Sequence, residues 1–448
     1  MALTGIAIFK LLPKKNCGEC GVPTCLAFAM NLAAGKAELR ACPYVSEEAK
    51  AQLQEAAAPP IRVVTVGTGE RALKIGGETV MFRHEKRFEN PPGFALLIKD
   101  TMDDAEIDAR LARFKQHHYQ RVGLTLRPEL IALKNESGDS AKFTSLVHKI
   151  KQNTDADLIL MSENPDNLAA GLQACAERRP LLYAVTNDNL NKMIEIVKKT
   201  PCPVVVKGAN LEEVANLTTK LTAAGINDLI IDSGARAIRH AFADQIIIRS
   251  AALHKKFRPL GYPTIVFPAE MTTDPMKEAL YASIFVAKYG GIIVLSDFQG
   301  ESLFPLLVER LNIYTDPQRP LATTEGIYEI GKPDDKSPVL ITSNFSLTYF
   351  LVSGYIETSK VPAYLLIKDT EGLSVMTAWA AGKFVADAIS PFIKKSPVWE
   401  KVRHRKLVIP GYTAAEVGGL EEELPGWQIL VGPRDGAHIP AYLKNWKA

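Results

Sequence analysis

The chain has 448 residues, too many for one ordinary core, so about two to four domains are expected. Its 47% hydrophobic and 23% charged residues exclude disordered and fibrous classes. A formal charge of +3, from 53 Lys and Arg against 50 Asp and Glu, speaks against a nucleic-acid footprint or a polybasic membrane patch and leaves proteins and small molecules as partners.

The first apolar stretch, ALTGIAIFKLL, is interrupted by Lys10 and has neither a basic region before it nor a small-residue cleavage site after it. No later run approaches the roughly 18 apolar residues of a membrane helix. A cytoplasmic protein with no membrane partner is expected, and there a cysteine cluster binds metal more readily than it forms disulfides. Four of the six cysteines, Cys17, Cys20, Cys25 and Cys42, follow the spacing C-x2-C-x4-C-x16-C. Four thiolates suit structural zinc or an iron-sulfur cluster. A zinc ribbon shows two similar C-x2-C knuckles, whereas here the last cysteine stands alone, so the spacing favours a [4Fe-4S] cluster over zinc. Gly18 and Gly21 allow tight turns that face N–H groups to sulfide, and Pro43 follows the last ligand. A helix is predicted from Leu26 to Leu39, and AAAPP at 56–60 closes a cluster domain over 1–58. Cys175 and Cys202, in apolar or Pro-flanked settings, read as buried packing residues.

Residues 59–92 are predicted to form a linker and a short β-ribbon. IRVVTV followed by GTGERA places Gly67, Gly69 and Ala72 in a G-x-G-x-x-A pattern after a strand. A dinucleotide fingerprint needs a helix next. The sequence continues instead as ALKIGGETV, where Gly76-Gly77 reads as a hairpin turn between two short strands, so the fingerprint is accidental.

From Phe94 onward, eight short apolar runs alternate with amphipathic segments: 94–99, 121–126, 157–161, 181–185, 203–207, 228–233, 264–268 and 291–297. Such runs mark strands buried on both faces, and eight βα units predict a (β/α)8 TIM barrel over 93–318, with an open doubly wound sheet as the rival. Its strand ends offer Asp100, Ser162, Glu163, Asn164, Asn187, Asp188, Lys207, Asp232, Glu270 and Asp297. Asp232 and Asp297 either cap helices or bind a pterin or phosphate; a scaffold or docking role for the barrel is the favoured reading.

A Pro- and charge-rich stretch at 315–338 contains the linker, 319–337, to a last domain over 338–448. Strands are predicted at 339–343, 363–368, 406–411 and 427–432, with helices at about 346–358, 375–390, 414–423 and 437–446, giving a parallel, doubly wound α/β sheet. Its strand ends, TSNFS, KDTEGLS, PGYT and GPRDG, supply hydroxyls and glycines with few charges. Glycines and helix N-termini there suit a ligand held by main-chain contacts.

CGECGVPTC with Cys42, supported by KDTEGLSV and VGPRDGA, makes the whole chain resemble the large subunit of the corrinoid iron-sulfur protein of the anaerobic acetyl-CoA pathway. The resemblance implies a methyl carrier. Corrinoid cobalt would take a methyl group from methyltetrahydrofolate by way of a methyltransferase and pass it to carbon monoxide dehydrogenase/acetyl-CoA synthase, while the cluster restores Co(I) from stray Co(II). It also implies a smaller subunit as heterodimer partner. The corrinoid positions carried onto this chain are Thr342, Ser343 and Ser346; Thr370, Glu371, Gly372, Leu373 and Ser374; Pro410 and Gly411; and Gly432, Pro433, Arg434 and Asp435. None of the eight histidines lies in a D-x-H-x-x-G string, and His438 has the wrong offset from Asp435. A base-off corrinoid with no protein histidine below it is therefore implied. Two competing readings stand beside this one: an iron-sulfur electron-transfer subunit without corrinoid, and a barrel pterin methyltransferase with an accessory cluster.

Overall fold

A computed structural model describes residues 5–33, 36–46, 48–50, 53, 58–121, 124–316 and 321–448. Two compact units emerge: Met1–Met81 with Glu89–Phe114 and Glu129–Ser302, and Phe82–Phe88 with Lys115–Pro128 and Leu303–Ala448. Among the described residues no helix is long and apolar enough to cross a membrane.

The cysteine-bearing segment opens the first unit with helices Gly5–Leu11 and Cys25–Ala33. Of the predicted helix to Leu39, the described residues are helical to Ala33; residues 34–35 lie outside the described set, and Leu39–Ala41 form a separate 3-10 turn. Residues 56–57 of the predicted linker also lie outside it.

Strands β1 (Val64–Val66) and β2 (Leu73–Ile75) pair antiparallel. The hairpin loop is thus GTGERA itself, which corrects the turn predicted at Gly76-Gly77. Those glycines instead extend the ladder, with Gly77 N–H donating to Ile61 O at 2.9 Å. No helix follows Gly67, so nothing presents a helix N-terminus to a pyrophosphate. Val64, Val66, Leu73 and Ile75 join the core inside the barrel. Leu73 N–H donates to the Asp157 carboxylate at 3.2 Å, and Gly67 N–H to Arg179 O at 3.1 Å. A Cβ on Gly67, which has φ +87°, would run into that carboxylate. Asp157 begins a barrel strand and Arg179 precedes one, so the ribbon closes the amino-terminal end and leaves the carboxyl end as the open face.

The barrel strands are β3 (Gly93–Lys99), β6 (Leu130–Lys134), β7 (Asp157–Met161), β8 (Leu181–Val185), β9 (Val204–Lys207), β10 (Leu229–Asp232), β11 (Ile265–Val266) and β12 (Ile292–Leu295), all parallel. A parallel bridge from Ile231 to Thr264 links β10 to β11, so the eight-stranded barrel is nearly closed. Their residues are almost all buried, as expected of strands covered on both faces. The second strand corrects the sequence reading. Residues 121–126 lie in the hairpin of β4 (Tyr119–Arg121) and β5 (Leu124–Leu126), a separate two-stranded sheet, and 122–123 lie outside the described residues. Its exposed Leu124 and Thr125 contrast with Leu130–Leu133, buried throughout.

In the second unit, β13 (Gly326–Ile330), β14 (Val339–Ser343), β15 (Ala363–Lys368), β16 (Lys406–Ile409) and β17 (Gln428–Val431) form a sheet in the order β13-β15-β14-β16-β17. The last four strands are parallel. β13 runs antiparallel to β15, so the sheet is mixed, and an edge strand lies within the stretch read as linker, of which 319–320 lie outside the described residues. Strand alternation sends Val339, Ile341, Leu366 and Leu407 to one face, against Ile389 and Leu420. Leu340, Leu365, Ile367 and Val408 face the other side, against Ile356 and Leu443. Helices therefore cover both faces. The chain order reverses on either side of β14, which opens a crevice at the carboxyl ends of β14 and β16.

Candidate functional site

Three of the four motif cysteines share one small core. Cys25 and Cys42 are buried with Ile8, Phe28, Ala29 and Val45, Cys20 packs at its edge, and Cys17 is exposed. Asn16 brackets the start of the second helix: its Oδ1 accepts Cys25 N–H at 2.8 Å, and its own N–H donates to Cys25 Sγ at 3.4 Å. Gly18 and Gly21 adopt φ +77° and +83°, joined by Gly21 N–H to Gly18 O at 3.0 Å, and a Cβ on either would meet nothing within 4 Å. The space beside this turn is open. Tyr44 donates to Glu19 at 2.7 Å, which raises its phenol above the ordinary value, and the Lys15 ammonium lies 3.8 Å from its ring centre. Among the described residues no three His, Cys, Asp or Glu side chains are grouped closely enough to ligate one metal ion. Soft thiol donors and an N–H directed at sulfur are the chemistry of a thiolate-bound metal group.

At the open end of the barrel the predicted polar residues are engaged with one another. Arg236 donates to Asp232 at 2.8 and 3.1 Å, to the Tyr183 hydroxyl at 2.9 Å and to Glu270 at 2.6 Å. Its guanidinium lies 4.5 Å from the Phe267 ring centre. Burial drives the Tyr183 phenol well above its ordinary value, helped by Asp232. Burial alone would raise Glu270, yet Arg236 and then Lys134 hold it below the ordinary carboxylate value. Asp100 accepts from Asn135, Ser137 and the Glu136 N–H, and Asp297 forms a two-point pair with Arg113 at 3.0 and 2.7 Å. Asn164 caps the helix that follows β7. Lys207 lies 5.8 Å from the Tyr183 ring centre. Around Arg236, the barrel-mouth groups therefore pair with one another in a charge-balanced network.

The C-terminal strand ends are built differently. Thr342 and Ser343, which end β14, and Ser346 just beyond it are all buried, and the Ser343 and Ser346 hydroxyls have no partner, like that of buried Thr323. The 14-residue helix Ser346–Ser359 starts at Phe345 with no side-chain cap, and Ser374 and Pro410 likewise cap nothing. In the barrel, Asp139, Asn164, Asn210 and Asp274 do cap their helices. After β15, Thr370 and Gly372 are buried, Leu373 and Ser374 half-buried, and Glu371 exposed; Glu371 and Gly372 have φ of +58° and +77°. After β16, Gly411 N–H donates to Pro433 O at 3.1 Å, and a Cβ on Gly411 would lie 2.6 Å from Gly432 O and 2.7 Å from Arg434 N. Arg434 lies 5.9 Å from the Tyr412 ring centre, and Asp435 caps Ala437 N–H at 2.9 Å. Thus Pro410 and Gly411 interlock with Gly432, Pro433 and Arg434 through their backbones. Exposed Leu347, Phe350, Met376 and Tyr412 follow the ends of β14, β15 and β16.

Sequence reasoning missed four residues here. Asn344 bonds the second loop to the first, Asp369 and Glu325 brace that loop, and Glu416 accepts from Trp379 Nε1 at 2.7 Å and Ala386 N–H at 2.8 Å. Asn344 is the carboxamide of TSNFS, and that was its only signal in the sequence.

A cysteine-bearing module, a nearly closed parallel barrel and an α/β unit with a mixed five-stranded sheet define a multidomain α/β protein. The family described as CO dehydrogenase/acetyl-CoA synthase delta subunit matches residues 63–443, and that described as putative Fe-S cluster matches residues 12–44. The corrinoid/iron-sulfur protein large subunit of Moorella thermoacetica is 45% identical over 444 residues, 99% of each chain. Acetyl-CoA decarbonylase/synthase complex gamma subunits are 35% identical in Methanopyrus kandleri, over 99% of this chain and 98% of that one, and 33% identical in Methanothermobacter thermautotrophicus, over 99% of each. The chain belongs to the family of corrinoid/iron-sulfur protein large subunits and acetyl-CoA decarbonylase/synthase gamma subunits, which bears out the resemblance drawn from its motifs.

Proposed function

We propose that the chain is the methyl-carrying large subunit of a corrinoid iron-sulfur protein in the acetyl-CoA pathway. The observation that carries this reading is the C-terminal crevice, where buried hydroxyls of Thr323, Ser343 and Ser346 lack partners and the helix at Ser346 is uncapped. Unpaired buried hydroxyls cost stability unless water or a ligand satisfies them. With exposed Leu347, Phe350, Met376 and Tyr412 nearby in the fold, the crevice suits a large, flat ligand with an apolar face and polar edges, which is the chemistry of a corrinoid.

When bound, a corrinoid supplies a cobalt centre that accepts and gives up a methyl group, and a [4Fe-4S] cluster supplies single electrons. Residues 342–346, 370–374, 410–411 and 432–435 would hold the corrinoid, and Cys17, Cys20, Cys25 and Cys42 the cluster. The protein's own groups do the holding. The backbones at Gly411 and Gly432 pack too closely for side chains, and their N–H groups donate to Pro433 O and Ile409 O, so these glycines fix the shape of the two loops. His404 bonds Ser337 O at 2.8 Å and precedes β16, at the end of the sheet opposite the crevice, so it would take no part in holding the corrinoid. The methyl group would come from methyltetrahydrofolate through a methyltransferase and leave to acetyl-CoA synthase, with a small subunit as heterodimer partner.

Purified without oxygen, the protein should hold about one cobalt and about four irons per chain, with corrinoid absorption beside the broad cluster band. Iron without cobalt, persisting after incubation with a corrinoid, would instead identify an electron-transfer subunit.

A further inference from the structure

One polar side chain in the C-terminal strand ends is still without a role. Asn344 is 4% exposed, and its Oδ1 accepts Thr370 N–H at 3.0 Å, Gly372 N–H at 2.9 Å and the Thr370 hydroxyl at 2.9 Å. Its Nδ2 donates to Asp369 Oδ1 at 2.8 Å, and the same Asp369 oxygen accepts Glu371 N–H at 2.9 Å. Every N–H from 370 to 372 therefore ends on Asn344 or on the carboxylate that Asn344 holds. The turn needs this support, because Glu371 and Gly372 lie in the left-handed region, which a non-glycine residue enters only at a cost.

A second brace comes from the segment that enters the domain. Glu325 Oε2 accepts Asp369 N–H at 2.7 Å and pairs with Lys368 at 2.6 Å. Thr323 N–H donates to Asn344 O at 2.8 Å, and Ser346 N–H to Leu321 O at 2.9 Å. Residues 321–325 are thus bonded to both of the first two strand-end loops.

We propose that Asn344 is a positioning residue that templates the 370–374 turn into the shape that receives the cofactor, with Glu325 bracing the same turn from the entering strap. The proposal rests on the corrinoid reading of this domain. Only a carboxamide performs the task at position 344: it accepts two amide N–H groups and, in the same plane, donates to a carboxylate. A carboxylate there would accept the N–H groups but face Asp369 with like charge. Exchanging both partners, N344D with D369N, restores a donor–acceptor pair between the two side chains but turns the atom that accepts Glu371 N–H into a donor, so it recovers only part of the turn's support.

The test uses full-length wild type, N344A, N344D, N344D/D369N and E325A. Amide hydrogen exchange across 369–374 is measured in corrinoid-free protein, and hydroxocobalamin is titrated separately. N344A and N344D should speed exchange and weaken hydroxocobalamin binding, each by roughly tenfold or more, and E325A by less. The double exchange should recover about threefold of each loss relative to N344D, a recovery that general destabilisation would not produce. Unchanged exchange in N344A and N344D, or no recovery in the double variant, overturns the template. Faster exchange with undiminished binding overturns the link to the cofactor. If wild type itself binds no hydroxocobalamin, the corrinoid reading fails and takes that link with it, while the exchange data still report on the template.

Discussion

Replacing Gly411 with alanine should unsettle the C-terminal crevice, whereas the same change at Gly418 should not. A Cβ on Gly411 would sit 2.6 Å from Gly432 O, 2.7 Å from Arg434 N and 2.8 Å from Pro433 C. All three are backbone atoms, so no rotamer change relieves the overlap, and the loops after β16 and β17 must part. Overpacking of this kind costs about 1–3 kcal/mol, and the loss of the Gly411–Pro433 hydrogen bond at 3.1 Å adds about 1 kcal/mol. At Gly418, exposed within helix Val417–Glu423, a Cβ meets nothing within 4 Å, and alanine should add up to about 1 kcal/mol of stability. The two variants differ from wild type by one methyl group each, with opposite signs expected. Thermal unfolding followed calorimetrically should lower the melting temperature of the C-terminal unit by several degrees for Gly411→Ala and raise it slightly for Gly418→Ala. An unchanged melt for Gly411→Ala would refute the claim that the two loops are held by close backbone approach.

Arg236→Leu should cost the barrel about 3–5 kcal/mol, because it leaves buried Asp232 without its partner; adding Asp232→Asn should recover part of that in urea melts. Glu270 is held below its ordinary value, so its stabilising contribution is present at neutral pH and fades as pH falls from about 4.3 through its folded value. The stability gap between wild type and Glu270→Gln should accordingly shrink in denaturant titrations below that pH; a constant gap would contradict the ion-pair assignment. Cys20→Ala should lower iron content and abolish reactivation of oxidised protein, yet leave methyl transfer by pre-reduced protein intact. Loss of both together would show that cluster and methyl transfer are not separable.

How much was legible varied with how local each signal was. In the C-terminal unit the runs VLITS and AYLLIK became strands at their predicted bounds, since continuous apolar residues flanked by turn residues have few alternatives. The barrel's second strand was misplaced because RVGLTL and LIALK are both short and apolar. Continuity separates them: Leu130–Leu133 is unbroken and buried on both faces, while the earlier run alternates, as an exposed hairpin does. The Gly76-Gly77 turn failed because two glycines signal freedom of φ without saying how it is used; here it lets the chain pass close to Arg62 O.

The sequence by itself determined the elements and the donor inventory: four spaced cysteines, eight barrel strands in number, and a C-terminal set of glycine- and hydroxyl-rich strand ends. These are properties of residues near one another in the chain. Only the tertiary structure decided which of those groups remain free. Barrel polar residues that looked like site candidates neutralise one another around Arg236, while Ser343, Ser346 and Thr323 are buried without partners. Asn344 gained its role by reaching residues 25 to 28 positions away. Whether a polar group is available to a ligand depends on what the fold brings beside it, and hydrogen-bond satisfaction across strands is not written in local pattern.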